Sequence, residues 1–555
     1  MNRRDFLATA AAGAAYGKAS AAGTDADDKV ALPVSTEPPA ELSLDDIAAA
    51  FAEGRLTSQQ LTEMYLARIE RLDHRGPTLG AVIEINAHAL EAAAALDAER
   101  KSRGPRGPLH GVPILIKDNV ETSDRMMSTA GSLALLGWYA PRDAPMVARL
   151  RAAGAVILGK SNLSEWANFR STHSISGWSG RGGQTRNPYA TDRSPSGSSS
   201  GSAVAVAANL CAVAVGTETN GSIVSPASAN GIVGLKPTVG LVSRRGIAPI
   251  SHSQDTAGPL ARSVRDAAVL LGAMAGLDAA DAASAVVGDR FENDYARYVD
   301  PQGLRGARLG IARKFFADNA PLNGFLDRCI ETLQDAGAII IDPADLPMHG
   351  ATSAAETEVL LYEFKADLNA YLRRLPPSFP VRSLAALIRF NEANKEREMP
   401  LFDQELLHQA EIKGALTDKA YTEARALCLK ATRSNGIDAV LAEHTLDAMV
   451  TLTARPAGLI DLINGDSGGA GSSSPAAIAG YPHISVPAGR WRGLPVGLSF
   501  FGAAFSEPRL IKLASGFESV AGARVAPGFL PSIGAPRETS CGFQGARFIA
   551  PGSAR

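Results

Sequence analysis

The chain has 555 residues, is 45% hydrophobic and 20% charged, and carries a formal net charge of -2. That composition describes a globular protein able to bury a large core, and its near-neutral balance gives no sign of a nucleic-acid or acidic partner. The four cysteines (Cys211, Cys329, Cys428 and Cys541) are scattered without C-x-x-C spacing, which speaks against a zinc site or a disulfide framework.

The first segment, MNRRDFLATAAAGAAYGKASAAG, pairs Arg3 and Arg4 ahead of Phe6, Leu7 and an Ala-rich stretch. Its apolar part is too short to span a bilayer, and Ala19, Ser20 and Ala21 offer a small-residue cleavage site. Residues 1–22 therefore read as a twin-arginine export signal, which predicts a periplasmic or secreted protein. Nothing later reaches transmembrane length, so no stable membrane association is expected after the signal is removed. Residues 23–40 are polar and proline-bearing, a flexible lead-in.

Two helices follow within residues 41–73, with Leu61, Met64, Tyr65 and Arg68 at helical spacing and Thr57 or Ser58 as the N-cap. GVPILIK (111–117) and GAVILGK (154–160) are short runs of branched apolar residues and predict buried strands, with a helix over 146–154 between them. This alternation predicts an α/β fold: a single large domain over 41–535 with a mixed, largely parallel sheet covered by helices on both faces. Residues 351–435 read as mostly helical, 446–450 and 483–489 as strands, and 536–555 as a loose tail. Gly154 to Ser161 formally matches a phosphate-binding P-loop. Its four variable residues, however, are the body of a strand, so their amides belong to the sheet.

Three segments place a reactive side chain beside small residues. In PLHGVPILIKDNV, Lys117 ends an apolar strand; such a lysine is either simply solvated or, if buried, a base near neutral pH. SPSGSSSGS (194–202) has the composition of a linker but runs straight into an apolar helix. VGTETNGSIVSPASANG (215–231) ends a strand in a polar turn, where Ser222 is equally a capping residue or a nucleophile beside backbone N–H donors.

Taken together, GVPILIKDN, SGSSSGS, GTETNGSIVSPA and GLKPT, in that order, resemble the amidase signature family. The resemblance runs over residues 41–525, and the segments SNLSEWANFRSTHSISGWSGRGGQTRNP and SQDTAGPLARS are most similar to bacterial peptide amidases. It implies a Ser–cisSer–Lys triad in which Ser222 attacks a carboxamide, Ser198, after a cis peptide at Gly197, bridges, and Lys117 takes the proton. It also implies an oxyanion hole from the backbone of Thr219, Asn220, Gly221 and Ser222, with Ser199 in support and no metal or organic cofactor. Asn168 reads either as a substrate contact or as a polar loop residue, and His110 and His483 as structural. Ser196, Ser200 and Asn220 depart from the family pattern, and Asn220 is a candidate for a positive φ. The implied function is release of ammonia from C-terminal amides of peptides. The alternatives are a general amidase or esterase, the glutamine-hydrolysing subunit of a tRNA-dependent amidotransferase, and an inactive ligand-binding relative.

Overall fold

Central apolar runs in this chain are buried on both faces, and the fold is organised around them. The structure, a computed structural model, describes residues 41–347, 350–467 and 471–534, which fall within one compact unit. The expected export signal, lead-in and C-terminal tail lie outside the described residues.

Among the described residues thirteen strands are formed: β1 (Val82–Ile85), β2 (Pro113–Lys117), β3 (Val156–Ser161), β4 (Trp178–Ser179), β5 (Gly183–Gln184), β6 (Val213–Glu218) and β7 (Val233–Lys236), then β8 (Thr256–Ala261), β9 (Arg308–Ile311), β10 (Ile339–Ile341), β11 (Ala448–Leu452), β12 (His483–Trp491) and β13 (Leu494–Phe501). Strands β4 and β5 make a small hairpin. The others form an 11-stranded sheet in the order β1-β3-β2-β6-β8-β7-β12-β13-β11-β9-β10.

The sheet is mixed, and its parallel pairings are gathered in two blocks, β3-β2-β6 and β11-β9-β10. Between them the chain pairs antiparallel from β6 through β8, β7, β12 and β13 to β11, and β1 is antiparallel at the edge. Tight turns account for part of this central block. Arg492 (φ 49°) and Gly493 (φ 87°) join β12 to β13 in the doubly left-handed conformation that suits a two-residue hairpin. Arginine there accepts a backbone region that glycine occupies at lower cost.

Strands β2 and β3 are buried at every residue, which is why their sequences read as unbroken apolar runs. Thr57 caps the helix Ser58–Ile69 through a reciprocal capping box with Gln60, and the helix Pro145–Ala152 lies between β2 and β3. The helix Ser200–Ala207 packs against β2, β6 and β8 and is buried along its whole length. A methyl group added at Gly201 would meet the Ala81 carbonyl at 2.2 Å, so glycine lets this helix sit directly on the neighbouring backbone. The serine tract is thus part of the core.

A second apolar cluster is built from the helices Ser353–Arg373, Leu384–Ala393 and Glu405–Glu411. They pack on Trp138, Trp166 and Phe169, with the Phe169 and Phe364 rings 5.1 Å apart. No helix among the described residues is long and apolar enough to cross a membrane.

Candidate active site

The parallel block β3-β2-β6 ends its strands at one edge, where Lys117 pairs with Ser161 and Glu218 terminates β6. The carboxyl end of a parallel sheet is where α/β proteins commonly place their ligand sites. Lys117 is fully buried there. Its Nζ donates to Ser198 Oγ (2.8 Å), Ser199 Oγ (3.1 Å), Thr217 Oγ1 (2.9 Å) and the Thr217 carbonyl (3.2 Å). Burial pushes the Lys117 ammonium down to about 7, against the opposing pull of Glu218 and Asp255.

Two other buried strand-end lysines show how particular this setting is. Lys160 Nζ donates to the Val120 carbonyl (2.6 Å) and Ser128 Oγ (2.9 Å), and Lys236 Nζ to the carbonyls of Tyr481 (2.6 Å) and Pro237 (3.2 Å). Lys117 alone of the three meets Ser198 and Ser199. Lys160 also disposes of the P-loop pattern, because its strand is wholly paired and buried.

The turn before the buried helix presents these hydroxyls. Ser196 has φ 60° and the Gly197–Ser198 peptide is cis. A methyl group at Gly197 would meet Ser164 Oγ at 2.3 Å, so this position has no room for a side chain. Ser199 Oγ donates to the Thr217 carbonyl (2.9 Å) and accepts from the Thr217 amide (3.1 Å), and its own amide donates to the Ser222 carbonyl (3.1 Å). The structure therefore brings Lys117, Ser198, Ser199 and the turn of Ser222 together. Ser198 and Ser199 are inaccessible, whereas Ser222 is 7% exposed. Ser222 Oγ makes no hydrogen bond among the described residues, so it is the hydroxyl of this group left open to a substrate.

Glu218, which the sequence reading passed over, holds the Ser222 turn. Its carboxylate accepts from the amides of Gly221 (2.8 Å), Ile223 (2.7 Å) and Val224 (3.1 Å). Two expectations are corrected here. The Gly221 amide is turned onto Glu218 and does not join the oxyanion donors. The left-handed conformation belongs to Gly221 (φ 82°), and Asn220 does not adopt it. The amides of Thr219, Asn220 and Ser222 make no backbone hydrogen bond among the described residues, which leaves them as donors for an oxyanion.

The side chains of the same turn are tied outward. Thr219 Oγ1 donates to Asp255 Oδ1 (2.6 Å), and Asn220 Nδ2 to Glu356 Oε1 (2.7 Å) and Ser474 Oγ (3.0 Å), while Asn220 Oδ1 accepts from Ser473 Oγ (2.7 Å). A cavity of about 470 Å³ adjoins, lined among others by Ser196, Ser225, Ser473, Arg455, Leu459 and Asp466. That volume suits a small ligand or the end of a peptide.

Asn168 ends the short helical turn Glu165–Asn168 that follows β3. It is half-buried, in a tight turn after β3 with φ 74°, and its Oδ1 is buried without a partner. His483 Nε2 contacts Ser499 Oγ (2.6 Å), and His110 Nε2 contacts the Leu96 carbonyl (2.9 Å), so both are held within the core.

Fold and relatives together define an enzyme that hydrolyses amide bonds. The chain belongs to the amidase family, whose model matches residues 60–511. It is 46% identical over 499 residues to a probable amidase of Arabidopsis thaliana, covering 88% of this chain and 92% of that one. The native peptide amidase of Stenotrophomonas maltophilia superposes with a TM-score of 0.85 at 52% identity, over 90% of this chain and 100% of that one. A complex of the peptide amidase PAM with the competitive inhibitor chymostatin matches equally well, at 53% identity and a TM-score of 0.85, over 88% and 99% of the two chains.

Proposed function

We propose that this amidase removes C-terminal amide groups from peptides through Ser222, Ser198 and Lys117. The observation that carries the reading is the 2.8 Å hydrogen bond from buried Lys117 Nζ to Ser198 Oγ, beside Ser199, whose amide donates to the Ser222 carbonyl.

With Lys117 neutral, Ser222 Oγ attacks the carboxamide carbon as its proton passes to Ser198 Oγ, whose own proton passes to Lys117 Nζ. The amides of Thr219, Asn220 and Ser222 hold the oxyanion, and each such donor is worth about 3–4 kcal/mol in enzymes of this kind. The C–N bond breaks as the relayed proton returns to the nitrogen, which leaves as ammonia. Water then attacks the ester on Ser222 by the same relay in reverse, giving a free carboxylate and the original hydroxyl. The open cavity beside Ser196 and Ser225 supports a peptidyl acyl group over a very small one.

Ammonia release from amidated peptides, free amino-acid amides, aryl amides and glutamine tests the substrate class. Fastest turnover of the amidated peptides is expected; preference for glutamine or aryl amides would replace this reading. Labelling by a fluorophosphonate should mark the wild type and spare Ser222→Ala, and a label that persists in the variant rejects Ser222 as nucleophile. We further propose export by the twin-arginine route, from Arg3, Arg4 and the Ala-rich segment. Retention of an Arg3→Lys, Arg4→Lys variant in the cytoplasm supports it, and unchanged export overturns it.

A further inference from the structure

Outside the catalytic group, one cluster of titratable side chains stands on the far side of the oxyanion turn. His252 lies between two carboxylates of the helix Ser353–Arg373. Its Nδ1 is 2.9 Å from Asp367 Oδ2, its backbone amide donates to the same oxygen (2.8 Å), and its Nε2 is 3.4 Å from Glu363 Oε1. Glu363 is fully buried and also accepts from Ser251 Oγ (2.5 Å), the Ser253 amide (3.1 Å) and Tyr421 Oη (2.7 Å). Residues 251–253 are thereby fastened to the helix.

The same short segment holds the oxyanion turn. Asp255 Oδ2 accepts from the amides of Ile250 (2.8 Å) and Ser251 (2.9 Å), while its Oδ1 takes the Thr219 hydroxyl. Gln254 Nε2 donates to the Thr219 carbonyl (3.3 Å) and to Glu356 Oε1 (3.0 Å), the atom that also receives Asn220. A continuous set of hydrogen bonds thus runs from helix Ser353–Arg373 through residues 250–255 to Thr219 and Asn220.

We infer that protonated His252 is a positioning residue, whose ion pairs with Glu363 and Asp367 hold Asp255 and Gln254 against the oxyanion turn. This rests on the amidase reading above. A neutral imidazole has one N–H for two carboxylates, so its loss of a proton releases one tie and leaves a buried negative charge without its counter-ion. The charged groups facing the cluster are Asp367 and Glu363 on that helix, Arg244, which donates to the His252 carbonyl, and Tyr421 and Arg425 on the helix Lys419–Thr432. Burial opposes the imidazolium, but the Asp367 hydrogen bond and the charges of Glu363 and Asp367 outweigh burial and Arg244, holding His252 above its ordinary value.

The test is the pH dependence of kcat and KM for an amidated dipeptide in wild type, His252→Asn and His252→Arg, with a thermal melt of each. His252→Asn is expected to lower kcat at neutral pH by about five- to thirtyfold, the equivalent of 1–2 kcal/mol, with KM little changed. Its profile should lose the alkaline fall expected of the wild type, in which loss of the His252 proton lowers turnover. His252→Arg, charged throughout, is expected to recover most of kcat and to carry activity to higher pH. Unchanged kcat in His252→Asn, an alkaline fall retained in both variants, or no recovery by His252→Arg would overturn the inference. Loss of the Ser222-dependent fluorophosphonate label in the wild type would instead reject the catalytic reading itself.

Discussion

Ser200 Oγ donates to the carbonyl of Ser196 at 2.7 Å, so two serines that depart from the family's glycines are partners of one another. The bond spans the turn that carries Ser198. Ser196 occupies left-handed backbone, which a residue with a β-carbon pays about 1–2 kcal/mol to adopt. Glycine gains freedom there but loses more entropy on folding. Ser196→Gly is therefore expected to change unfolding free energy by no more than about 1 kcal/mol. Ser200→Gly, which loses the hydrogen bond and places glycine in a helix, should cost about 1–2 kcal/mol. Urea unfolding measures both; a larger loss for Ser196→Gly than for Ser200→Gly would contradict this account.

Lys117→Ala should lower kcat by about two to four orders of magnitude, the range for loss of a positioned acid–base group. A thermal melt showing a cooperative transition keeps the result interpretable, since the substitution also removes the partner of three side chains. Near-wild-type turnover would remove Lys117 from the proton path.

The same lysine sets an acid limit on turnover. With Lys117 needed neutral and its proton lost near 7, kcat/KM should rise with pH through that value on its acid limb, the alkaline fall being the one assigned to His252. Stability shifts in the same direction. The folded chain releases this proton near 7 and the unfolded chain near 10.5, so between these values the unfolded state binds more protons and stability rises with pH. The contribution is at most about 1.4 kcal/mol per pH unit, absent below 7 and complete above 10.5. Subtracting the stability profile of Lys117→Met isolates it from that of Lys160 and Lys236, whose burial acts in the same sense. A difference profile flat from pH 7 to 10 would count against the burial argument.

Glu218→Gln tests the anchor of the nucleophile turn. Three amides that now meet a carboxylate would meet a neutral amide able to offer one acceptor oxygen. Charge-assisted hydrogen bonds are worth about 1.5–3 kcal/mol, so a clear drop in melting temperature and a fall in kcat of about tenfold or more are expected. Ser222 labelling by a fluorophosphonate should slow in parallel, and labelling at the wild-type rate would show that the turn holds its shape without the charge.

Much of the fold was legible because burial on both faces leaves a simple mark. ILI before Lys117 and VIL before Gly159 read as strands, and Thr57 or Ser58 read as a helix start. The motifs that surround Lys117, Ser198 and Ser222 with small residues marked the segments that the structure brings together. The carboxylates around them were not. Asp255 reaches Thr219 because β6 and β8 pair antiparallel with Glu218 opposite Thr256, a register that no local pattern records. Glu356 belongs to a helix more than a hundred positions away, and meets Asn220 only once that helix packs. The assignment of left-handed backbone to Asn220 failed because glycine stands beside it and takes that conformation at lower cost.

The complete burial of the helix Ser200–Ala207 has a consequence for how such an enzyme can change. The turn leading into it supplies the serines that meet Lys117, while the helix fills the space between the sheet and its neighbours. Mutational drift in this segment is penalised twice, once as lost turnover and once as lost folding. The wall formed by residues 454–459 with Asp466 and Ser467 has no such double duty. New substrate preferences are therefore most accessible along that wall, with the chemistry inherited unchanged from the core.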